Sequence, residues 1–213
     1  MFGEPIHFQT IRIPIPRKAI YARLGFRKGL TRIKPGEQDM VDRYIDEGAG
    51  IVVLKGAARI LPIRQIDDTG TVLEGGHTLP SSALSKMLIP CTHVLMMGAT
   101  SCTGIMDAIS TASQTHDLTR AVVLDATASE MTDAGLTWIM SYIDTELRRS
   151  AQGLTRKRFS AGYGDFALEN QKAIYDLLRL ENIGVAITDT CILVPEKSVT
   201  AIAGIKASRQ KTP

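Results

Sequence analysis

The 213-residue chain is short of cysteine, of aromatic residues and of net charge. Its three cysteines, Cys91, Cys102 and Cys191, are odd in number and lack CxxC spacing. That argues against a disulfide framework and fits a reducing cytoplasm. No apolar run approaches the roughly 20 residues of a membrane span. The opening stretch from Met1 to His7 has no basic segment followed by an apolar core, so no secretory signal is expected. A net charge of +3 is too small to imply nucleic-acid binding. The expectation is a cytoplasmic protein that binds neither nucleic acid nor membrane.

Several catalytic and metal signatures are also missing. The turn from Gly98 to Gly104 lacks the Gly-Lys-Ser/Thr of a phosphate loop and the GxGxxG of a dinucleotide fold, so it reads as a structural strand-to-helix turn. Cys91 and His93 lie two apart, with Cys102 and His116 downstream, but no second ligand pair completes a zinc site. There is no Gly-x-Ser-x-Gly. His7, His77, His93 and His116 have no orienting acid nearby in sequence.

What remains is an ordinary globular composition, 44% apolar and 22% charged, long enough for one domain with a sizeable core. Alternation predicts a strand over Phe8–Ile13, stopped by Pro14 and Pro16. Short and longer helices are predicted over Arg17–Phe26 and Gly36–Gly48. Strand is expected within Ala49–Ile66, with Asp67 to Gly70 turning into Thr71–Leu73. Ser81 or Ser82 caps a helix through Leu88. His93–Met97 reads as a buried strand. A helix follows Gly104, and a long one runs from about Thr119 to Arg149 with a break near Gly135. A further helix spans Leu168–Leu180. Mixed order without regular βαβ alternation points to α+β in a single domain over residues 1–213. Residues 205–213 read as a polar, basic tail.

Positive charge clusters at Arg148, Arg149, Arg156, Lys157 and Arg158. It suits a solvated helix end or a docking edge for an acidic partner. The acids Asp125, Glu130 and Asp133 near the start of the long helix read as capping or dipole residues.

The stretch Arg158-Phe159-Ser160-Ala161-Gly162-Tyr163, continued by Gly164, Asp165 and Phe166, carries the most chemistry. A guanidinium can grip a carboxylate through two hydrogen bonds. A glycine lets backbone approach a flat ring, and a tyrosine offers a π face and a hydroxyl. By itself the motif also fits a turn with a packed tyrosine and a surface arginine.

Downstream come the apolar run from Ile183 into Thr188 and Asp189, the turn from Cys191 to Pro195, and the Ser-Val strand from Ser198 to Gly204. In this order, RxxxGY, helix, apolar strand, apolar-Pro turn and Ser-Val strand resemble the S-adenosylmethionine-binding activation (reactivation) domain of cobalamin-dependent methionine synthase. Leu73–Leu88, Val94–Thr100 and Val122–Ala126 resemble its short, free-standing branch. The resemblance spans roughly Arg59 to Gly204. At Thr100-Ser101-Cys102 the chain departs from the Thr-Leu-Gly usual in relatives.

The resemblance implies a twisted, mostly antiparallel sheet with flanking helices. It implies that Arg158 takes the methionyl carboxylate of S-adenosylmethionine, and that the backbone from Ala161 through Gly162 to Tyr163 lines the adenine and ribose. Asp133 and Glu130 correspond to acids that face the ligand or the cobalamin partner. The implied function is support of reductive methylation of cob(II)alamin in a methionine synthase, the cobalamin being carried by that partner and the electron coming from a flavodoxin-like donor. Another corrinoid methyltransferase as client, or a non-catalytic S-adenosylmethionine-binding interaction protein, fits the same residues. Longer relatives carry a tyrosine-bearing segment past the Ser-Val strand, where this chain has Gly204 to Pro213. Weaker binding, or a pocket completed by a partner, is therefore expected.

Overall fold

A computed structural model describes residues 3–27, 29–31 and 34–207. Its centre is β5 (His93–Thr100), an almost unbroken apolar run in which every residue after His93 is buried. Such a run suits a strand covered on both faces. β5 pairs antiparallel with β2 (Lys55–Ile66) on one side and β9 (Ser198–Ala207) on the other. Small residues lie opposite Met97, Ala58 on one flank and Ala201 on the other. β3 (Thr71–Leu73) and β4 (Thr78–Leu79) extend the sheet beyond β2, β1 (Ile6–Phe8) joins β2 further along, and β6 (Gln152–Leu154) ends the sheet beside β9. The result is a curled, wholly antiparallel sheet with helices around it, the α+β architecture expected.

Alternation along the strands sends side chains to two layers. Ala58, Ile60, Leu95, Met97, Ala201 and Ala203 face α5 (Leu118–Arg148) through Leu136, Ile139 and Ile143. Ala57, Leu61, Met96 and Ile202 face the opposite layer, built from α3 (Ser82–Leu88), α6 (Asn170–Leu178) and the 3-10 turn Leu180–Ile183. α1 (Arg17–Arg23) and α2 (Pro35–Ile51) bury Ile20, Val41 and Ile45 against Val123 and Ala126 of α5. α4 (Gly104–Gln114) packs on the same helix through Ile105.

Several local expectations change. The strand predicted over Phe8–Ile13 is confined to Ile6–Phe8, because β1 meets β2 only at Gly56–Ala58. Beyond it, Ile11 keeps one bond, its N–H to Leu54 O at 2.9 Å. Ala49–Ile51 belong to α2. α5 runs through Gly135 without a break. A Cβ there would sit 3.4 Å from Ala99 Cβ, so this glycine permits close helix–sheet approach. The run from Ile183 to Thr190 keeps only two strand residues, β7 (Ala186–Ile187), in a hairpin with β8 (Leu193–Val194). Of the basic tail, Ile205–Ala207 complete β9, and residues 208–213 lie outside the described residues.

Candidate functional site

β9 is partnered unevenly. β5 covers one flank from Ser198 to Ile205, whereas β6 covers the other only at Ile205–Ala207. Between Ser198 and Ala201 that second flank has no strand partner among the described residues. The segment carrying the RxxxGY motif runs past this open edge. Phe159 bridges to Ile202 through both backbone bonds, at 2.8 and 2.7 Å. The Ser160 hydroxyl donates to Thr200 O at 2.7 Å.

Two further anchors hold the loop. Phe166 is fully buried and its ring meets Phe159 at 6.3 Å. Asp165 accepts from the Ser81 hydroxyl at 2.5 Å and from the N–H groups of Ser82 and Ala83 at 2.7 and 3.2 Å. It thus satisfies free donors at the start of α3, beside the N-cap Ser81. The Ser81 hydrogen bond, then those backbone donors, hold its carboxyl below the usual aspartate range. Between the anchors the chain reverses: Gly162 N–H donates to Phe166 O at 2.8 Å with Gly162 at φ +86°, where an L side chain is strained. Tyr163 is left 70% exposed at the rim.

The loop, β9 and α5 enclose an open groove of about 440 Å3. Asp133 and Leu136 of α5 form one wall, and Arg158, Ala161 and Tyr163 line the loop side. Ser198, Val199 and Thr200 make the floor, and Gln171 of α6 closes the far side. The Arg158 guanidinium is ion-paired to Asp133 and donates to Thr137 Oγ1 at 3.2 Å. Arg158 is the more buried partner, its side chain 25% exposed against 53% for Asp133. A charged, hydrogen-bonding pair therefore stands at one end of a groove otherwise lined by hydroxyl, amide and apolar groups.

Of the residues singled out from sequence, Arg158, Asp133, Ala161 and Tyr163 line one groove. Gly162 shapes its turn without lining it. Glu130 does not line it either: its carboxylate takes the Arg23 guanidinium at 2.6 Å, tying α1 to α5, and borders a neighbouring groove with Pro14, Pro16 and Trp138. The capping reading of the three acids is corrected. α5 begins at Leu118 with Asp117 as its cap, accepting from Arg120 N–H at 3.2 Å. Asp125, well inside the helix, pairs with Lys197 at 2.6 Å. Sequence reasoning passed over Ser198, Thr200 and Gln171. The first two had a signal, being polar positions two apart on an apolar strand. Gln171 had none.

The sequence matches no protein-family profile, and no curated protein matches it either. Among solved structures, a crystal structure of the MetH reactivation domain bound to AdoHcy is similar over 100% of this chain and 81% of that one, with a TM-score of 0.68 and 11% sequence identity. At that identity the likeness is one of architecture, and it extends over the whole chain: this protein has the fold of the MetH reactivation domain.

Proposed function

We propose that the protein binds S-adenosylmethionine in the groove beside Arg158 and Asp133 and presents it to the cobalamin of a partner protein, supporting reductive methylation of that cobalamin. The observation that carries this reading is the Arg158–Asp133 pair at the end of a groove on the open edge of β9. It occurs in a chain whose structural relative was crystallised with AdoHcy. An amino-acid zwitterion is the sign-reversed complement of such a pair. Its carboxylate can replace Asp133 on Arg158, and its ammonium can take the freed Asp133. One internal pair is thereby exchanged for two intermolecular ones.

The rest of the groove suits an adenosyl group. Its volume lies within the ~300–1,000 Å3 of small-molecule sites. Leu136 and Ala161 supply apolar surface, Tyr163 an aromatic face, and Ser198 and Gln171 hydrogen-bonding groups. The groove opens to solvent beside Tyr163, as a site that hands its ligand to a second macromolecule requires. The sulfonium supplies the methyl group, and the partner's corrin supplies the metal centre that accepts it. This chain's contribution is binding and orientation, and the groove needs no acid–base dyad for that.

The electron would come from a flavodoxin-like donor docking at the basic C-terminal end of α5. Arg148 and Arg149 are 77% and 75% exposed and pair with Asp144 and Glu146 of the preceding helical turn. Exposed charges of this kind act mainly on encounter rate. Reversing both should flatten the salt dependence of reactivation, and an unchanged dependence would remove this basic helix end from the proposal.

The test of function is to supply the protein, S-adenosylmethionine and an electron donor to a cobalamin-dependent methionine synthase inactivated by oxidation, and to follow recovery of methyl transfer. Recovery that needs all three supports the reading. Tight ligand binding without recovery in any corrinoid enzyme would instead favour an interaction module.

A further inference from the structure

We propose that Gln171 is a specificity-determining residue of this groove, donating a hydrogen bond from Nε2 to a ring nitrogen of the ligand's purine; this rests on the adenosyl reading above. Gln171 lies in the first turn of α6, half-buried, and lines the groove opposite α5. The Thr200 hydroxyl, on a residue 2% exposed, donates to Gln171 Oε1 at 2.7 Å. That bond engages the acceptor end of the amide and leaves Nε2 as the uncommitted end. Nε2 carries two N–H donors. It makes no hydrogen bond among the described residues, and it is not a buried unsatisfied group. It is therefore a donor open to whatever occupies the groove.

The donor is also held rigidly. Thr200 sits in β9 opposite Gly98, and its carbonyl accepts from Ser160. Gln171 belongs to a helix whose Ile174, Leu177 and Leu178 are buried. A donor mounted on a strand and a helix is set in place before the ligand arrives.

Its position matches one end of the proposed ligand. Val199 and Ala201 point toward α5 and Ile202 toward α6, so Thr200 shares the α6 side of the sheet. Asp133 and Arg158 meet on the α5 side. A ligand crossing the open edge of β9 thus meets a charged pair at one end and a neutral, oriented donor at the other. A zwitterion answers the first. A neutral planar acceptor answers the second, and a purine presents N1, N3 and N7 in that role. Leaving such a donor unpaired beside a bound ring is costly, so it discriminates among rings.

The test is calorimetric titration of S-adenosylhomocysteine, of its 1-deaza, 3-deaza and 7-deaza analogues, and of S-inosylhomocysteine, into the wild type, Gln171→Ala and Gln171→Glu. Gln171→Glu keeps an acceptor for Thr200 while removing the donor, so the fold is held by the same bond. In the wild type one deaza analogue should bind about tenfold more weakly than its parent, the worth of one net hydrogen bond. That penalty should vanish in both variants. Equal penalties in wild type and variants would overturn the proposal. So would a penalty shown only by the inosyl compound and erased in Gln171→Ala, since it would mean that Oε1 faces the ring. Failure of every adenosyl compound to bind the wild type would overturn the adenosyl reading along with it. Normal parent binding with an invariant penalty pattern would overturn the role of Gln171 alone.

Discussion

Two glycine-bearing turns lead toward helices in this molecule, and they have opposite fates. At Gly98–Gly104 the protein satisfies its own polar groups. Thr100 is fully buried and accepts from the Ser198 hydroxyl at 2.9 Å and from Cys102 N–H at 3.1 Å. Ser101 N–H donates to Lys197 O at 2.9 Å, and the Ser101 hydroxyl lies 2.5 Å from that of Thr132. At Arg158–Phe166 the backbone is as firmly held, yet Arg158, Tyr163 and one flank of β9 are left facing a groove. The glycines differ accordingly. Gly98 is needed for space, since a Cβ would lie 2.9 Å from Leu180 Cδ2. Gly162 is needed for its φ of +86°, and a Cβ there would meet nothing closer than 3.5 Å. A binding site is thus distinguished by polar groups that the fold leaves open to a groove, even where they are paired internally, more than by the presence of a glycine turn.

The residues that seat the two turns can be replaced one at a time. Phe166→Ala removes the buried ring that seats the loop and should cost about 3–5 kcal/mol in chemical denaturation, with ligand affinity falling as well. Gly98→Ala crowds the end of β5 against Leu180 and should cost about 1–3 kcal/mol while leaving affinity within about twofold. Gly162→Ala forces a side chain into the left-handed region, at about 1–2 kcal/mol, and should lower affinity out of proportion to stability. If Gly98→Ala weakened binding more than Gly162→Ala, the contrast between the two turns would be wrong.

The smallest effect concerns pH. The folded-state pKa of Asp165 is depressed, so its contribution to stability is present above the ordinary aspartate pKa of about 3.9 and is lost as pH falls through the lower folded value. Asp165→Asn should therefore be less stable than the wild type at neutral pH, with the gap closing below about pH 4. A gap constant from pH 7 to pH 3 would mean that the amide replaces the carboxylate without loss of charge stabilisation at the start of α3.

Much of the scaffold was legible in the chain. β5 shows as an apolar run, α3 by its serine cap and α5 by its length, because each signal is local. The sheet and helices implied by the family resemblance are present as well. The local signals failed where a partner decides the outcome. Phe8–Ile13 alternates like a strand, but β2 pairs with only one of its residues, Phe8. Gly135 looks like a helix breaker, but it is where α5 rests against the sheet. The groove was half legible for the same reason. Arg158 and Tyr163 lie in one motif, whereas Asp133 is 25 residues from Arg158 and Gln171 is 29 residues from Thr200. Only the meeting of α5, the loop, β9 and α6 brings them together.

The measurement that bears most directly on the central claim is calorimetric titration of S-adenosylmethionine into the wild type and Arg158→Ala. A saturable isotherm in the wild type, weakened about 10–100-fold by the substitution, is the result we expect from the loss of a charge-assisted carboxylate contact. Equal affinity in the two proteins, with both folded, would contradict the placement of the ligand beside the Arg158–Asp133 pair.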